Sequence, residues 1–113
     1  MAIRFYDTNA IISDCTDISN VVISSKTLEE LENIKSSSHK DNDIKYKARV
    51  AVRAIREQKP DIVVVQKSDY DKIEELGLEI TNDNLIIASA WRYSQENPIV
   101  FVTQDVLCSL IAN

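Results

Sequence analysis

Four short β-branched runs, each followed by a segment of helical period, constrain what this chain can fold into. The runs are Ile3-Arg4-Phe5-Tyr6, Asn20-Val21-Val22-Ile23-Ser24, Asp61–Val65 and Pro98-Ile99-Val100-Phe101-Val102, the last with proline where a strand tolerates it, at its first position. They are continuous rather than alternating, which suits strands covered on both faces. Between them Leu28, Leu31 and Ile34 recur at helical spacing, and Ile44, Ala48, Ala51, Val52 and Ile55 give a cleaner apolar face. Leu85, Ile86, Ala88, Ser89, Ala90 and Tyr93 mark a third, well-buried helix that stops before Pro98. Asp69–Leu76 adds a helical turn, a short helix follows Asp105, and the polar string Ser36–Asp43 reads as a loop. Of Trp91 and Tyr93, at least one belongs in the core. Strand–helix alternation of this kind predicts right-handed crossovers. The expected fold is α/β, a three-layer α/β/α arrangement around a mainly parallel sheet of four or five strands.

The chain of 113 residues fits one domain spanning 1–113 and leaves no room for a second core. Glycine occurs once and proline twice, so no linker or repeat interrupts it. The longest apolar runs, Ile62–Val65 and Ile99–Val102, are too short to cross a bilayer, and Arg4 and Asp7 break any signal-like stretch. Cys15 and Cys108 lie far apart, outside any metal-ligand spacing, and read as two free thiols of a cytoplasmic protein. A net charge of −5 argues at first against a nucleic-acid partner. Its distribution weakens that objection. From Lys35 to Arg56 there are seven bases (Lys35, Lys40, Lys45, Lys47, Arg49, Arg53, Arg56) against Asp41 and Asp43.

A parallel sheet collects ligands at the carboxyl ends of its strands, and this chain concentrates acids there. Asp7 directly follows the first run. Glu29 and Glu30 come shortly after the second, in the first turn of its helix; Asp83 opens the third long helix, and Asp105 follows the fourth run by two residues. Hard oxygen donors in that number suit Mg²⁺ or Mn²⁺ rather than zinc, and the single histidine, His39, has no partner for a zinc site. Each acid also has a structural explanation. Thr27-Leu28-Glu29-Glu30 fits a capping box, and Asp83 and Asp105 sit near helix starts, where carboxylates are favoured anyway. Caps on different helices need not converge on one rim, however, and unpaired like charges gathered there repel unless a cation or a proton neutralises them.

Taken in order, Asp7-Thr8-Asn9, Thr27-Leu28-Glu29-Glu30-Leu31, Asp83-Asn84-Leu85-Ile86-Ile87-Ala88 and Val102-Thr103-Gln104-Asp105 resemble the motifs of PIN domains. The form of the second motif, with Lys47-Ala48-Arg49 after it, is similar to the PIN-like domains associated with PhoH-type ATPases. The resemblance covers Asp7 to about Ala112. It implies a ribonuclease acting on single-stranded RNA with one or two Mg²⁺ or Mn²⁺ ions. By motif position Asp7, Glu30, Asp83 and Asp105 would be both catalytic and metal-binding, and Asn9 and Thr103 supporting polar groups. Glu29 would be a substitute for Glu30. The chain departs from the PhoH-type pattern after Asp105, where Val106-Leu107-Cys108-Ser109-Leu110-Ile111 stands in place of a polar, basic run, and it ends early, at Asn113.

No Ser or Cys has a base beside it, so water is the expected nucleophile. Lys45, Arg49, Arg53 and Arg56 recur at near-four-residue steps and would guide an RNA backbone, Arg49 foremost because the resemblance includes it; a solvated helix face accounts for the same pattern. Two other acid-rimmed folds fail at named positions. A haloacid-dehalogenase-type phosphatase needs an aspartate where Asn9 stands. A response-regulator receiver needs a phosphoacceptor at the third strand, which here runs into Gln66-Lys67-Ser68. The rivals are a PIN-like binding or scaffold module without catalysis and the toxin ribonuclease of a toxin–antitoxin pair. A homo-oligomer, or a protein partner or inhibitor, is compatible with either, and no membrane partner is expected.

Overall fold

The computed structural model describes residues 3–38 and 41–103. Along them run β1 (Ile3–Tyr6), α1 (Thr8–Ser13), β2 (Val21–Ser24), α2 (Ser25–Ser36), α3 (Asn42–Gln58), β3 (Asp61–Val63), α4 (Lys67–Glu75), α5 (Asn82–Ser94) and β4 (Ile99–Val102). All pairings in the sheet are parallel, and its order is β3-β2-β1-β4. The chain thus steps outward from β1 to β2 to β3, then returns to the far side of β1. That reversal puts the topological switch point between β1 and β4, where open parallel sheets bind ligands.

Successive strand residues point to opposite faces, and helices pack on both. Ile62 of β3 and Val100 of β4 nevertheless stay exposed at the sheet edges, where the continuous apolar runs predicted cover on both sides. Tyr6, Val21 and Ile23 face Ile11 of α1, Leu31 of α2 and Ala48, Ala51, Val52 and Ile55 of α3. Phe5, Val22 and Val63 pack the other way onto Ile86 and Ala90 of α5, and Ile73 joins α4 to α5 through Leu85 and Ala88. The expected three-layer α/β/α architecture is therefore present. Fully burying an Ile, Leu or Phe stabilises the fold by about 1.5–3 kcal/mol, so continuous apolar strands lock both layers to the sheet. Tyr93 belongs to this core, its ring centroid 6.2 Å from that of Phe5. Trp91 does not; it is 46% exposed.

Three local features differ from the sequence reading. The six-residue helix α1 was not foreseen, because fewer than two turns leave no periodic signal. The helix after β2 starts earlier than a Thr27 cap requires: Ser24 is the N-cap, its hydroxyl accepting from the Lys26 N–H at 3.2 Å. The Thr27–Glu30 capping box is therefore absent, and Glu29 and Glu30 fall in the second turn. The third strand is also shorter than expected, ending at Val63. Asp69–Leu76 proves to be most of α4, whereas the helix expected after Asp105 lies outside the described residues. No described helix is long and apolar enough to cross a membrane.

Candidate functional site

The parallel register pairs Tyr6 with Val102, so the next residues, Asp7 and Thr103, leave the sheet side by side at the switch point. The Asp7 N–H donates to the Val102 carbonyl at 3.1 Å, extending the ladder by one step. Asp7 then caps α1. Its Oδ1 accepts from the Ala10 N–H at 2.7 Å, while Oδ2 accepts from the Thr103 hydroxyl. One oxygen of this buried carboxylate is thus held by the first turn of α1 and the other by the residue that follows β4. The same turn makes Asp7 a chemical group and a helix cap at once, the cap role following from a helix that the sequence did not announce.

Glu30 approaches from α2. Its Oε1 accepts from the buried Thr8 hydroxyl at 2.9 Å, and Thr8 Oγ1 lies 3.3 Å from Thr27 Oγ1. Burial pushes the Glu30 carboxyl above the usual glutamate range. The charges of Asp83 and Asp7 push the same way, and the Thr8 hydrogen bond and the Lys26 ammonium hold it back only in part. Glu30 therefore lies where the charges of acids from two other parts of the chain reach it. Asp83 is exposed in the first turn of α5, whose N-cap is Thr81, accepting from the Asn84 N–H at 3.1 Å. The capping explanation thus fails for Glu30, belongs to a neighbour at Asp83, and holds for Asp7.

The remaining candidates separate. Glu29 points to solvent and pairs with Lys26 at 3.1 Å, away from Thr8, so the structure does not bring it to the site. Asn9 is exposed on the first turn of α1. Lys45, Arg49 and Arg53 lie on the outer face of α3, half-buried or exposed, and form no ion pair among the described residues; Arg56 reaches Glu32 of α2 at 3.9 Å. Asp105 lies outside the described residues. Thr8 and Thr27 were missed. Thr8 had a signal, since it directly follows Asp7, but nothing in the sequence tells that its hydroxyl turns toward residue 30.

A model of the PIN domain family matches residues 5–113. The chain belongs to the PIN domain family. The match bears on the family and not on the PhoH-associated branch. No curated protein and no solved structure matches the chain. PIN domains are generally nucleases that depend on divalent metal. The donor chemistry of this PIN domain fits such an ion, since Asp7, Glu30 and Asp83 offer only hard oxygens. Among the described residues no three His, Cys, Asp or Glu side chains stand within reach of a single metal ion. Cys15 offers no alternative chemistry, because burial and then Asp14 push its thiol up, away from the nucleophilic thiolate.

Proposed function

We propose that this PIN domain, a single domain over residues 1–113, is a cytoplasmic metal-dependent endoribonuclease that hydrolyses phosphodiester bonds of single-stranded RNA with water as nucleophile. The observation that carries this reading is the pair of oriented carboxylates at the carboxyl end of the sheet, Asp7 held by the Ala10 N–H and Thr103 and Glu30 held by Thr8. Asp7, Glu30, Asp83 and Asp105 would hold one or two Mg²⁺ or Mn²⁺ ions, whose chemistry when bound is to acidify a water and offset charge on the phosphoryl oxygens. The chain's own contribution is preorganisation. Ala10 N–H and Thr103 fix both oxygens of Asp7, and Thr8 fixes one oxygen of Glu30. Neither carboxylate then needs to reorganise as charge develops on the substrate. Asn9, exposed on the first turn of α1, would donate to a phosphate, and Lys45, Arg49 and Arg53 would hold the backbone further along.

The test is cleavage of end-labelled single-stranded RNA, with duplex RNA and single-stranded DNA as comparisons, in Mg²⁺, Mn²⁺ or EDTA. Internal cleavage of the single strand should require either ion and fall at least a hundredfold in Asp83→Asn. Cleavage in EDTA, or undiminished cleavage by the folded variant, would overturn the assignment. One observation favours a second reading, a PIN domain that binds without cleaving: the described acids do not close to ligating range. RNA binding without cleavage under every metal condition would establish it.

A further inference from the structure

α4, the turn after it and α5 enclose a cavity of about 280 Å³ lined by Ile73, Leu76, Leu78, Ile87, Ala88 and Trp91. A second hollow of about 180 Å³ shares Lys72, Ala88 and Trp91 with it and continues past Asp71 and Glu75. Together they make one groove, apolar at one end and charged at the other, where Asp69, Asp71 and Glu75 outnumber Lys72 and Arg92 by one. The fold builds it deliberately. Gly77, the chain's single glycine, takes φ +71 at the end of α4, a backbone geometry that favours glycine. Gly77 N–H donates to the Glu74 carbonyl and Leu78 N–H to that of Ile73, both at 3.0 Å, a Schellman turn that folds Leu78 back toward Ile73. Leu76 at 57%, Leu78 at 40% and Ile80 at 44% exposure nevertheless remain open to water.

Charge selects what such a groove accepts. Residues 67–80, which form one wall and its rim, carry five acids (Asp69, Asp71, Glu74, Glu75, Glu79) against Lys67 and Lys72, a balance of −3. Asp69 is satisfied internally by Arg92, at 2.9 Å. Asp71, Glu74 and Glu79 are exposed, and the Lys72 ammonium already lies 4.7 Å from the centre of the Trp91 ring. RNA and anionic lipid are repelled by this surface, and two copies meeting groove to groove would set carboxylates against carboxylates. Glu75 is bridged by Lys72 at 3.7 Å, which leaves Asp71 as the acid of the hollow open to a partner. We propose that the groove docks a basic amphipathic helix of a protein partner, with apolar side chains seated between Leu78, Ile87 and Trp91 and a Lys or Arg facing Asp71. This site is separate from the nuclease reading and does not depend on it.

Trp91 is the chain's only tryptophan, so its fluorescence reports on the groove directly. The probe is a synthetic helix of about four turns with leucines at i, i+3, i+4 and i+7 and arginines beside them; its control replaces each arginine by glutamate. The arginine peptide should change Trp91 emission saturably and bind at least about tenfold more tightly than the glutamate peptide. Asp71→Lys/Glu75→Lys should reverse that preference, and Leu78→Asp, at an exposed position that leaves the fold intact by circular dichroism, should weaken both peptides. Arg49→Ala should change nothing. An absent response, an equal response to both peptides, or indifference to the Leu78 and charge-reversal variants would each overturn the proposal. So would concentration-dependent self-association in sedimentation that Leu78→Asp abolishes, since the occupant would then be a second copy.

Discussion

Asp7 holds the Ala10 N–H through one oxygen and the Thr103 hydroxyl through the other, so its substitutions separate structure from chemistry. Asp7→Asn keeps an acceptor for Ala10 and a group that can pair with Thr103; it should melt no lower than the wild type while losing hydrolysis. Asp7→Ala removes the cap and should lose about 1 kcal/mol, several degrees in melting temperature. Equal melting temperatures for both variants would show that the cap contributes nothing. Glu30 makes a prediction in pH. Its folded carboxyl holds a proton more tightly than the unfolded chain does, because of burial and then the Asp83 and Asp7 charges. Between the ordinary glutamate value and the raised folded one, the folded state binds more protons. Stability without metal should therefore fall as pH rises through that window, and the penalty is complete above it. Glu30→Gln, which retains an acceptor for Thr8, should remove that slope and be the more stable protein at neutral pH. Urea midpoints in EDTA from about pH 4 to pH 8 measure it, and parallel profiles for the two proteins would remove Glu30 from the electrostatic argument.

At the scale of elements, α4 ends where it does because of Gly77, whose missing Cβ would meet no atom within 4 Å. Gly77→Ala should thus lose about 1 kcal/mol through backbone strain alone. A melting temperature unchanged by this substitution would show that the turn relaxes freely. On α3, Arg49→Ala/Arg53→Ala should weaken RNA binding about equally for all sequences and flatten its dependence on salt, since phosphate contacts carry no base information. Anisotropy titrations at several salt concentrations check this, and an unchanged slope would make the stripe a solvated face. The elements themselves were largely legible from residue patterns. Val21–Ile23 is a continuous apolar run because β2 is buried on both faces. Ala48, Ala51, Val52 and Ile55 repeat at helical spacing because one face of α3 packs on the sheet. Ile99–Val102 reads as a strand too, although Val100 is exposed. What was not legible depends on single hydrogen bonds. Ser24 beat Thr27 to the cap of α2 because it is the last strand residue, and α1 begins because Asp7 can accept from Ala10. The site was legible in part: motif order pointed to Asp7, Glu30 and Asp83, but Glu29 and Glu30 are separated only by the direction each side chain takes from α2.

Across the whole molecule charge is divided, with a balance of +5 over residues 35–56, −3 over 67–80, and a group at the sheet edge in which the Asp83 and Asp7 charges reach Glu30. That last group makes a cation a structural component if the proposed function holds. An ion that binds only the folded state stabilises it by mass action, about 2.7 kcal/mol at a hundredfold excess over Kd. For a chain of 113 residues that corresponds to a rise of roughly 10 °C in melting temperature. Mn²⁺ and Mg²⁺ should both produce it, and NaCl at matched ionic strength should not, because screening acts on exposed charges at long range and not on a half-buried carboxylate among its neighbours. Asp7→Asn is the decisive comparison. It retains the helix cap, so any loss of the metal response cannot be ascribed to a broken α1, and with one charge fewer its metal-free form should melt at or above the wild type. The expected pattern is therefore a higher baseline and a smaller rise, moving together. A thermal scan of the two proteins with and without Mn²⁺ reads both quantities. A wild type that melts at the same temperature up to millimolar metal would leave Glu30 and its neighbours as a strained polar edge, and the PIN domain would then be a binding module.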